Sequence, residues 1–340
     1  MDWSKSYTSI WRVFKVDRRT WADGEALPKV DSVSISRTAD GRILESGSLE
    51  VTGEFETGYY RIVMTANQGG ELERVDVATL YFEVTGGSID FGRTVHSVDG
   101  SSVLYPAMTT AVTLGEYAPA GVDGVQYAAE LLRSAINAPV ETDGSFTLND
   151  HVVHELGSSV IDAVWAVLDA PTDPKYTMHI DGRGTVHIHP MPTDPSMEIN
   201  NSSIGMLSNG IDFSADKSDI PNRYIVIEDD QVTIATNDDP NSEVSTVSRG
   251  FCVDVVDTSP TPVNGKTMLE YAEDRLRELS VMRDEKTYAR EYAPDVYVYS
   301  LVRASINGLQ GDLRVLSQSI DCGNGITVNE RAAREVRLYG

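Results

Sequence analysis

The first third of the chain alternates apolar and polar residues over short runs that end in turn-forming residues. The alternation is clear at Val33 and Ile35, and again at Leu49 and Val51, and it indicates strands with one buried face. Several such strands with no helix between them predict an antiparallel sandwich or barrel over residues 1–112. The runs are YTSIWRVFKV, KVDSVSISRT, SGSLEVTGEF, YYRIVMTAN and VATLYFEVTGG.

After residue 112 the apolar positions change to helical spacing. The stretch GVDGVQYAAELLRSAINAP predicts a helix with Asp123 at the N-cap and Gln126 at N3, and SSVIDAVWAVLDAPTDP predicts a second helix capped by Ser159. The predicted buried faces are Ala128, Leu131, Leu132, Ala135 and Ile136 in the first helix, and Ile161, Val164, Trp165 and Leu168 in the second. A short strand, SFTL, and a hairpin, YTMHIDGRGTVHIHP, complete an α+β segment over residues 113–200.

Strand-like patterns return in residues 201–240 and 290–340, and the intervening segment 241–289 contains one more helix. That helix is TMLEYAEDRLRELSVM, in which Thr267 and Glu270 have the spacing of a capping box. The layout is therefore a β domain, an α+β piece, and a second β domain that a helix-containing insert interrupts.

The charge of the chain restricts its partners. The 340 residues include 28 basic and 52 acidic side chains, for a formal charge of −24. A protein that grips nucleic acid needs clustered Lys and Arg against the phosphates, so stable nucleic-acid binding is not expected. The same charge is compatible with a wall past which nucleic acid must slide without adhering.

We expect neither a membrane-spanning segment nor a signal peptide. No apolar run approaches the roughly 18–20 residues that cross a bilayer, and MDWSKSYTSIW lacks a charged start followed by a hydrophobic stretch. The two cysteines, Cys252 and Cys322, have no metal-binding spacing, and free thiols in a reducing cytoplasm are the favoured interpretation. Pairing between them remains an alternative.

The histidines do not predict a metal site. In HVVHE, His151, His154 and Glu155 have the wrong spacing for a zinc peptidase helix. In the hairpin, a two-residue turn at Gly182-Arg183 would pair Ile180 with Thr185. His187 and His189 would then lie on the face opposite His179, so three convergent imidazoles are not expected unless the turn is longer.

Two polar stretches suggest ligands but fit a structural role better. NGKT at 264–267 lacks the earlier glycine of a phosphate-binding loop, because that position is Pro260. IATNDDPNSEVSTVSRG at 234–250 lacks the spacing of a calcium loop. We interpret it as an ordered junction between strands, with bound calcium as a lesser alternative. The residues thus identify no catalytic, cofactor or metal site.

The order of these segments resembles the tail hub (baseplate hub) proteins of long-tailed bacteriophages. The pieces that carry the resemblance are LESGSLEVTG, LGEYAPAGVDGVQYAAELL, LGSSVIDAVWAVLDA, MHIDGRGTVHIHPMPTDPS, IPNRYIVIED, ATNDDPNSEVSTVSRG and APDVYVYSLVRASINGLQGDLRVLSQSIDCGNGITVNE. Each motif has low specificity by itself, and the ordered set covers nearly the whole chain. A tailocin or another injection machine could use the same part.

The resemblance implies two tail-tube-like antiparallel β-barrel domains, one over 1–112 and one over 201–240 with 290–340. It implies a homotrimeric ring that joins the sixfold tail tube to the threefold tip and lets DNA pass. The implied partners are the distal tail, tape measure and tip or fibre proteins, and the implied location is the virion, after synthesis in the host cytoplasm. No enzymatic activity and no cofactor are implied.

Two other functions remain open from the residues alone. Four Trp and fifteen Tyr among many acids are compatible with a tail-associated carbohydrate-binding or carbohydrate-cleaving protein, because sugar sites use aromatic platforms beside carboxylates. Six histidines leave a cytosolic metal-dependent hydrolase as a third possibility.

Overall fold

The computed structural model describes most of the chain in two compact units. One unit comprises Met1–Ile211 and Thr287–Ala332, and the other comprises Asp212–Lys286 and Ala333–Gly340. The described residues are 1–39, 41–84, 86–90, 93–113, 115, 117–171, 173–207, 210–228, 231–260, 266–306 and 309–339. The finer division into four segments stays a prediction.

Strands dominate both units. In the first unit they are β1 (Thr8–Val16), β2 (Asp23–Ala26), β3 (Val30–Thr38), β4 (Glu45–Thr52), β5 (Gly58–Gln68), β6 (Glu71–Phe82), β7 (Ser88–Asp90), β8 (Arg93–Ser102), β9 (Tyr117–Ala118), β10 (Val140–Thr142), β11 (Val152–Val153), β12 (Tyr176–Ile180), β13 (Val186–Pro190) and β14 (Pro195–Ile199). The second unit contributes β15 (Asp212–Ser214), β16 (Arg223–Glu228), β17 (Gln231–Thr236) and β18 (Asp254–Asp257). The remaining strands are β19 (Val281–Glu291), β20 (Leu301–Ile306), β21 (Leu309–Gly323) and β22 (Gly325–Arg337), of which β19 and β22 supply residues to both units.

Helices in the described ranges are short. They are α1 (Tyr105–Thr109), α2 (Gly124–Ala135), α3 (Val160–Leu168), α4 (Thr246–Arg249) and α5 (Met268–Leu279), with a 3-10 helix at Asn201–Met206. The side chain of Asp123 accepts from two backbone N–H groups of α2, and Ser159 caps α3, as predicted. The predicted strand SFTL is wrong. Thr147 in this stretch makes one isolated β-bridge to Asp123. The stretch is not a strand because it pairs with the N-cap residue of α2 instead of with another strand.

One large sheet organises the first unit. Its strand order is β22-β21-β3-β4-β8-β6-β5-β1-β2, with β20 beside β21 and β14 beside β20. The pairs from β21 through β3, β4 and β8 are antiparallel, as are those joining β6, β5, β1 and β2. The β-rich, antiparallel character predicted from the sequence is confirmed. Among the described residues the sheet does not close into a barrel, and the two-barrel arrangement stays a prediction.

Strand alternation directs charged as well as apolar side chains into the first unit. On β3 the buried series is Val33, Ile35 and Arg37, and on β4 Glu45 is buried along with Leu49. Arg37 and Glu45 are direct partners in the β3–β4 register. The inward face therefore carries an ion pair at one end of an apolar stripe.

The α+β part of the first unit packs two helices over a small sheet. The sheet has the order β10-β13-β12, and α2 packs on α3 through their apolar faces. The buried residues of the two helices include Ala128, Leu131, Leu132, Ile161, Val164, Trp165 and Leu168. All were predicted to be buried from the 3.6-residue period.

The second unit is built on a three-stranded sheet with the order β17-β16-β18. Helix α5 covers one face of this sheet with Ala272 and Leu276, which pack with Tyr224, Val226 and Ala235. The predicted capping box at Thr267 and Glu270 is confirmed, with both reciprocal hydrogen bonds present. Among the described residues, no helix packs on the opposite face of this sheet.

Candidate functional site

The loop of the β12–β13 hairpin is longer than predicted, and this changes its register. It runs from Asp181 to Thr185. The Asp181 N–H donates to the Thr185 carbonyl at 3.0 Å, and the Asp181 carboxylate accepts from the Thr185 N–H at 2.8 Å. Ile180 therefore pairs with Val186, and His179 pairs with His187. The expectation that His179 faces away from the other two histidines is wrong, because the Asp181 side chain stabilises a wider turn.

Three imidazoles consequently meet on one face of the hairpin. The rings of His179 and His187 stack with centroids 4.8 Å apart and 12° between their planes, and His179 Nδ1 lies 2.7 Å from His189 Nε2. Burial, together with the neighbouring His189 and His187, lowers the pKa of His179 to about 3. A hydrogen bond to the Asp181 carboxylate raises the pKa of His187. In the described ranges, no cluster of three or more His, Cys, Asp or Glu side chains could hold a metal ion.

Tyr297 connects the histidines to a buried arginine. Its ring stacks on His179 with centroids 4.7 Å apart, and the Arg37 guanidinium lies 5.0 Å from the ring centroid on Tyr297. Arg37 donates to Glu45 at 2.5 Å and to the Val77 carbonyl at 2.6 Å. Burial opposes the charge on Arg37, but the Glu45 carboxylate together with Tyr292 and Tyr297 raises the pKa of the guanidinium above its ordinary value.

Val77 accepts this hydrogen bond because it lies at a β-bulge. Ile62 of β5 pairs with Ala78 and Val63 pairs with Asp76, so Val77 has no partner residue in β5. A bulged residue leaves the ladder locally disrupted. Arg37, arriving from β3, supplies a charged donor to the carbonyl there.

A second buried ion pair continues the network. Glu330 on β22 accepts from Arg290 at 2.6 Å, from Gln318 at 2.8 Å and from the Tyr288 hydroxyl, and Gln318 is also 3.4 Å from Arg37. We define the polar core as Arg37, Glu45, Gln318, Glu330 and Arg290, all of which are buried. For each buried ion pair, the free energy needed to remove the two charges from water offsets much of the free energy gained from their attraction. The network therefore specifies which strands pair more than it adds to stability.

The hairpin loop is held on the first sheet by its backbone carbonyls. Arg61 is buried and donates to the Arg183 carbonyl at 3.0 Å and to Thr79 Oγ1 at 3.0 Å. Thr79 in turn donates to the Gly182 carbonyl at 2.9 Å, and the Trp21 indole donates to the Arg183 carbonyl at 2.7 Å. These contacts fix the loop whatever the loop side chains are. The sequence gives no direct signal of them beyond an arginine within the apolar run of β5.

The HVVHE stretch forms no metal site in the structure. His151 Nδ1 accepts from the Ala120 N–H at 3.1 Å, and the His154 ring stacks on Tyr127 with centroids 6.3 Å apart. The two histidines flank the short strand β11 (Val152–Val153) and make separate contacts. In NGKT, residues 264 and 265 lie outside the described residues, whereas Thr267 caps α5.

The acidic stretch 234–250 is an ordered junction, as interpreted from the sequence. Asn237 is buried and donates to Ser242 Oγ at 2.9 Å, and Asp239 accepts from the Asn241 N–H at 2.8 Å. Ser245 caps α4, which ends at Gly250 in the left-handed conformation. The polar side chains thus satisfy one another and the backbone.

The uncovered face of the second unit's sheet is apolar. Val232, Ile234 and Val256 are 60%, 47% and 54% exposed, and Ile225 pairs directly with both Ile234 and Val256. We call this surface the open face and define it by Ile225, Ile227, Val232, Ile234 and Val256. At its end, Arg223 makes two hydrogen bonds to Asp254, at 2.7 and 2.6 Å, so the charges there are internally neutralised.

Both cysteines are free thiols in the structure. Cys252 is exposed and Cys322 is buried, and burial raises the pKa of the Cys322 thiol to about 12, which makes it unreactive. Within the described ranges, no helix has the length and apolarity needed to span a membrane.

The architecture is that of known tail proteins. The chain superposes on the tail protein of Neisseria meningitidis MC58 with a TM-score of 0.65 at 12% identity, covering 96% of this chain and 97% of that one. It superposes on the 43 kDa tail protein of prophage MuSo2 from Shewanella oneidensis with a TM-score of 0.60 at 12% identity, covering 95% and 98%. The fold resemblance to phage tail proteins predicted from the sequence is confirmed.

A more distant fold similarity extends to a chain of a two-protein complex. A chain of the Francisella PdpA–VgrG complex matches with a TM-score of 0.56 at 8% identity, covering 96% of this chain and 58% of that one. No protein-family model and no curated protein matches the sequence. The similarity is therefore one of fold.

Proposed function

We propose that this chain is a structural, non-enzymatic hub protein of a bacteriophage tail tip. The observation that carries the proposal is the fold similarity to a tail protein along 96% of this chain and 97% of the other. In the proposed assembly, residues 1–112 form one tube-like barrel domain and residues 201–240 with 290–340 form the second. Residues 113–200 and 241–289 lie outside these barrels or at subunit contacts.

Three copies of the chain form the proposed ring. Two barrel domains in each of three subunits give six tube-like positions, which adapts the sixfold tail tube to the threefold tip. Cyclic closure pairs sheet edges with neighbouring subunits, which suits a chain with many short strands. The formal charge of −24 supports a lumen that repels the phosphate backbone and lets DNA pass without binding.

The proposed location is the virion, after synthesis in the host cytoplasm. The distal tail protein, the tape measure protein and the tip or fibre proteins are the proposed partners. These follow from the hub role.

The open face supports contact with a second copy of the chain. Contiguous exposed apolar surface on a soluble protein marks an interaction site. Two copies of a chain this acidic repel each other at most surfaces, whereas the described residues of the open face are apolar and the charges at its end, Arg223 and Asp254, are paired with each other. It is therefore suited to a subunit interface.

Mass photometry of the purified chain tests the ring. We expect a species of three chains of 37.2 kDa each, with threefold rings in negative-stain electron micrographs. A strictly monomeric protein at micromolar concentration would contradict the proposal.

A pair of substitutions tests the interface. Ile234→Asp places a charge on the open face and should release monomers, whereas Leu156→Asp, at a residue of the first unit that is 81% exposed, should leave the ring intact. A ring that persists in Ile234→Asp excludes the open face from the interface without affecting the hub proposal.

A further inference from the structure

A groove in the first unit is lined by three tyrosines. Tyr59 on β5 and Tyr81 on β6 are direct partners across the sheet, and Tyr105 begins α1 beside them. The cavity that they line has a volume of about 760 Å³, within the range of small-molecule sites. We call it the tyrosine groove.

The aromatic rings form a rigid floor and an exposed wall. The Tyr59 and Tyr81 centroids are 5.2 Å apart with 61° between the planes, and Trp21 supports Tyr59 from behind at 5.1 Å. Tyr59 is buried, whereas Tyr105 is 41% exposed. A ligand in the groove would therefore meet one ring that packing fixes and one ring that is open to solvent.

The polar groups at the groove are few and balanced in charge. Asn137 lines the groove beside Tyr59, and Arg18 is exposed at the rim. Lys15 is paired with Glu56, and Asp17 accepts hydrogen bonds from its own turn. The groove therefore lacks the concentrated positive charge that an anionic ligand requires.

We propose that the tyrosine groove binds a neutral oligosaccharide. A pyranose ring has an apolar C–H face that packs on tyrosine rings and a rim of hydroxyls that exchange hydrogen bonds with Asn137, Arg18 and the tyrosine hydroxyls. A wholly apolar ligand would leave these polar groups unpaired, and nucleic acid would meet a strongly acidic chain. The proposal is independent of ring formation.

Titration with defined sugars tests the groove. The probes are chitotetraose, maltohexaose and cellohexaose, each followed by saturation-transfer NMR and by intrinsic tryptophan fluorescence, to which Trp21 contributes from its contact with Tyr59. We expect at least one probe to bind the wild-type chain, and Tyr105→Ala to weaken that binding about tenfold, which corresponds to the loss of about 1.4 kcal/mol.

Two further variants make the outcome decisive. Tyr117→Ala removes a tyrosine of similar exposure, 46%, outside the groove and should leave binding unchanged. Tyr59→Phe removes only a hydroxyl in a buried position and reports on the site even if Tyr105→Ala misfolds. Absence of binding by all three sugars at about 10 mM, or equal binding by wild type, Tyr105→Ala and Tyr59→Phe, overturns the proposal.

Discussion

Gly182 lies so close to the main chain of Asp76 that a Cβ at residue 182 would be 1.8 Å from the Asp76 carbonyl oxygen. This contact brings the backbone of the hairpin loop directly onto the backbone of β6, beside the bulge at Val77. Only glycine fits at position 182, because a Cβ there would clash with the main chain of Asp76. The position of the hairpin loop on β6 depends on this close contact.

Substitution of Gly182 by alanine should unseat the hairpin loop. The added methyl group meets backbone atoms, which cannot rotate away, so we expect the free energy of unfolding to fall by about 1–3 kcal/mol. Urea denaturation followed by intrinsic tryptophan fluorescence measures the change, and Trp21 contributes to that signal from beside the loop, where its indole donates to the Arg183 carbonyl. Gly323→Ala is the control, since a Cβ there meets nothing within 4 Å. Equal stability of the two variants would contradict the assigned contact.

Removal of the Glu330 charge should be costly. Glu330→Gln leaves the Arg290 guanidinium buried without its counter-ion, and breaking a buried pair in this way costs about 3–5 kcal/mol of unfolding free energy. The matched surface pair is Arg303 and Asp312, whose side chains are 50% and 43% exposed. Asp312→Asn should cost less than about 1 kcal/mol. Chemical denaturation measures the free energy of unfolding of both variants. Comparable losses in the two variants would show that the polar core is not desolvated.

Acidification should destabilise the chain through His179. Its pKa is about 3 in the folded state, against 6.5 for the ordinary side chain, so between these values the unfolded chain binds a proton that the folded chain does not. The contribution of His179 to the free energy of unfolding is therefore fully present above pH 6.5. It falls as the pH drops towards 3, by up to about 1.4 kcal/mol per pH unit. The pH dependence that His187 contributes has the opposite sign, because its pKa is raised beside Asp181. Its contribution to the free energy of unfolding is present below pH 6.5 and is lost as the pH rises through the raised pKa.

The variant His179→Phe separates these contributions. It keeps a ring between His187 and Tyr297 but removes the titrating group, so the difference in unfolding free energy between about pH 7 and about pH 4.5 should shrink by about 2–3 kcal/mol. His151→Phe, at an exposed histidine, should retain the wild-type difference. An unchanged pH dependence in His179→Phe would exclude the buried, neutral state assigned to this residue.

Loss of the α5 cap should have a smaller effect. In Thr267→Ala the backbone N–H of Glu270 loses its acceptor, and such substitutions cost about 0.5–2 kcal/mol. Thr258→Ala, at an exposed turn in the same unit, is the control and should change little. Thermal denaturation monitored by circular dichroism compares the two, and equal midpoints would argue against a stabilising cap.

Local signals in the sequence were sufficient for most elements. Asp123, Ser159 and Thr267 lie at helix N-caps because their side chains bond to N–H groups two or three residues away, a relationship that spacing alone reveals. Val33 and Leu49 are buried as the two-residue period predicts. The order of these elements was also enough to predict the tail-protein fold.

The candidate sites depend on contacts between distant segments, and these could not be read from spacing. The hairpin register depends on the Asp181 side chain and on the close contact of the Gly182 backbone with β6. That strand lies about a hundred residues earlier in the chain. Arg37 and Gln318 look like surface residues in an alternating strand until the strands are paired. The available signals were Arg37, in phase with the apolar residues of β3, and Arg61, within the apolar run of β5.

The pairing of β3 with β21 also determines when β3 can acquire this neighbouring strand during synthesis of the chain. Ile35 lies opposite Ile320 in that register, so β3 acquires this neighbour only after all the residues between them have been synthesised. At about 5–20 residues per second the wait is roughly tens of seconds. During that interval Arg37 has neither Gln318 nor Tyr297 beside it, and the unfinished edge of the sheet at β3 is open to other nascent chains. Chaperone demand should therefore be greatest before β21 emerges from the ribosome.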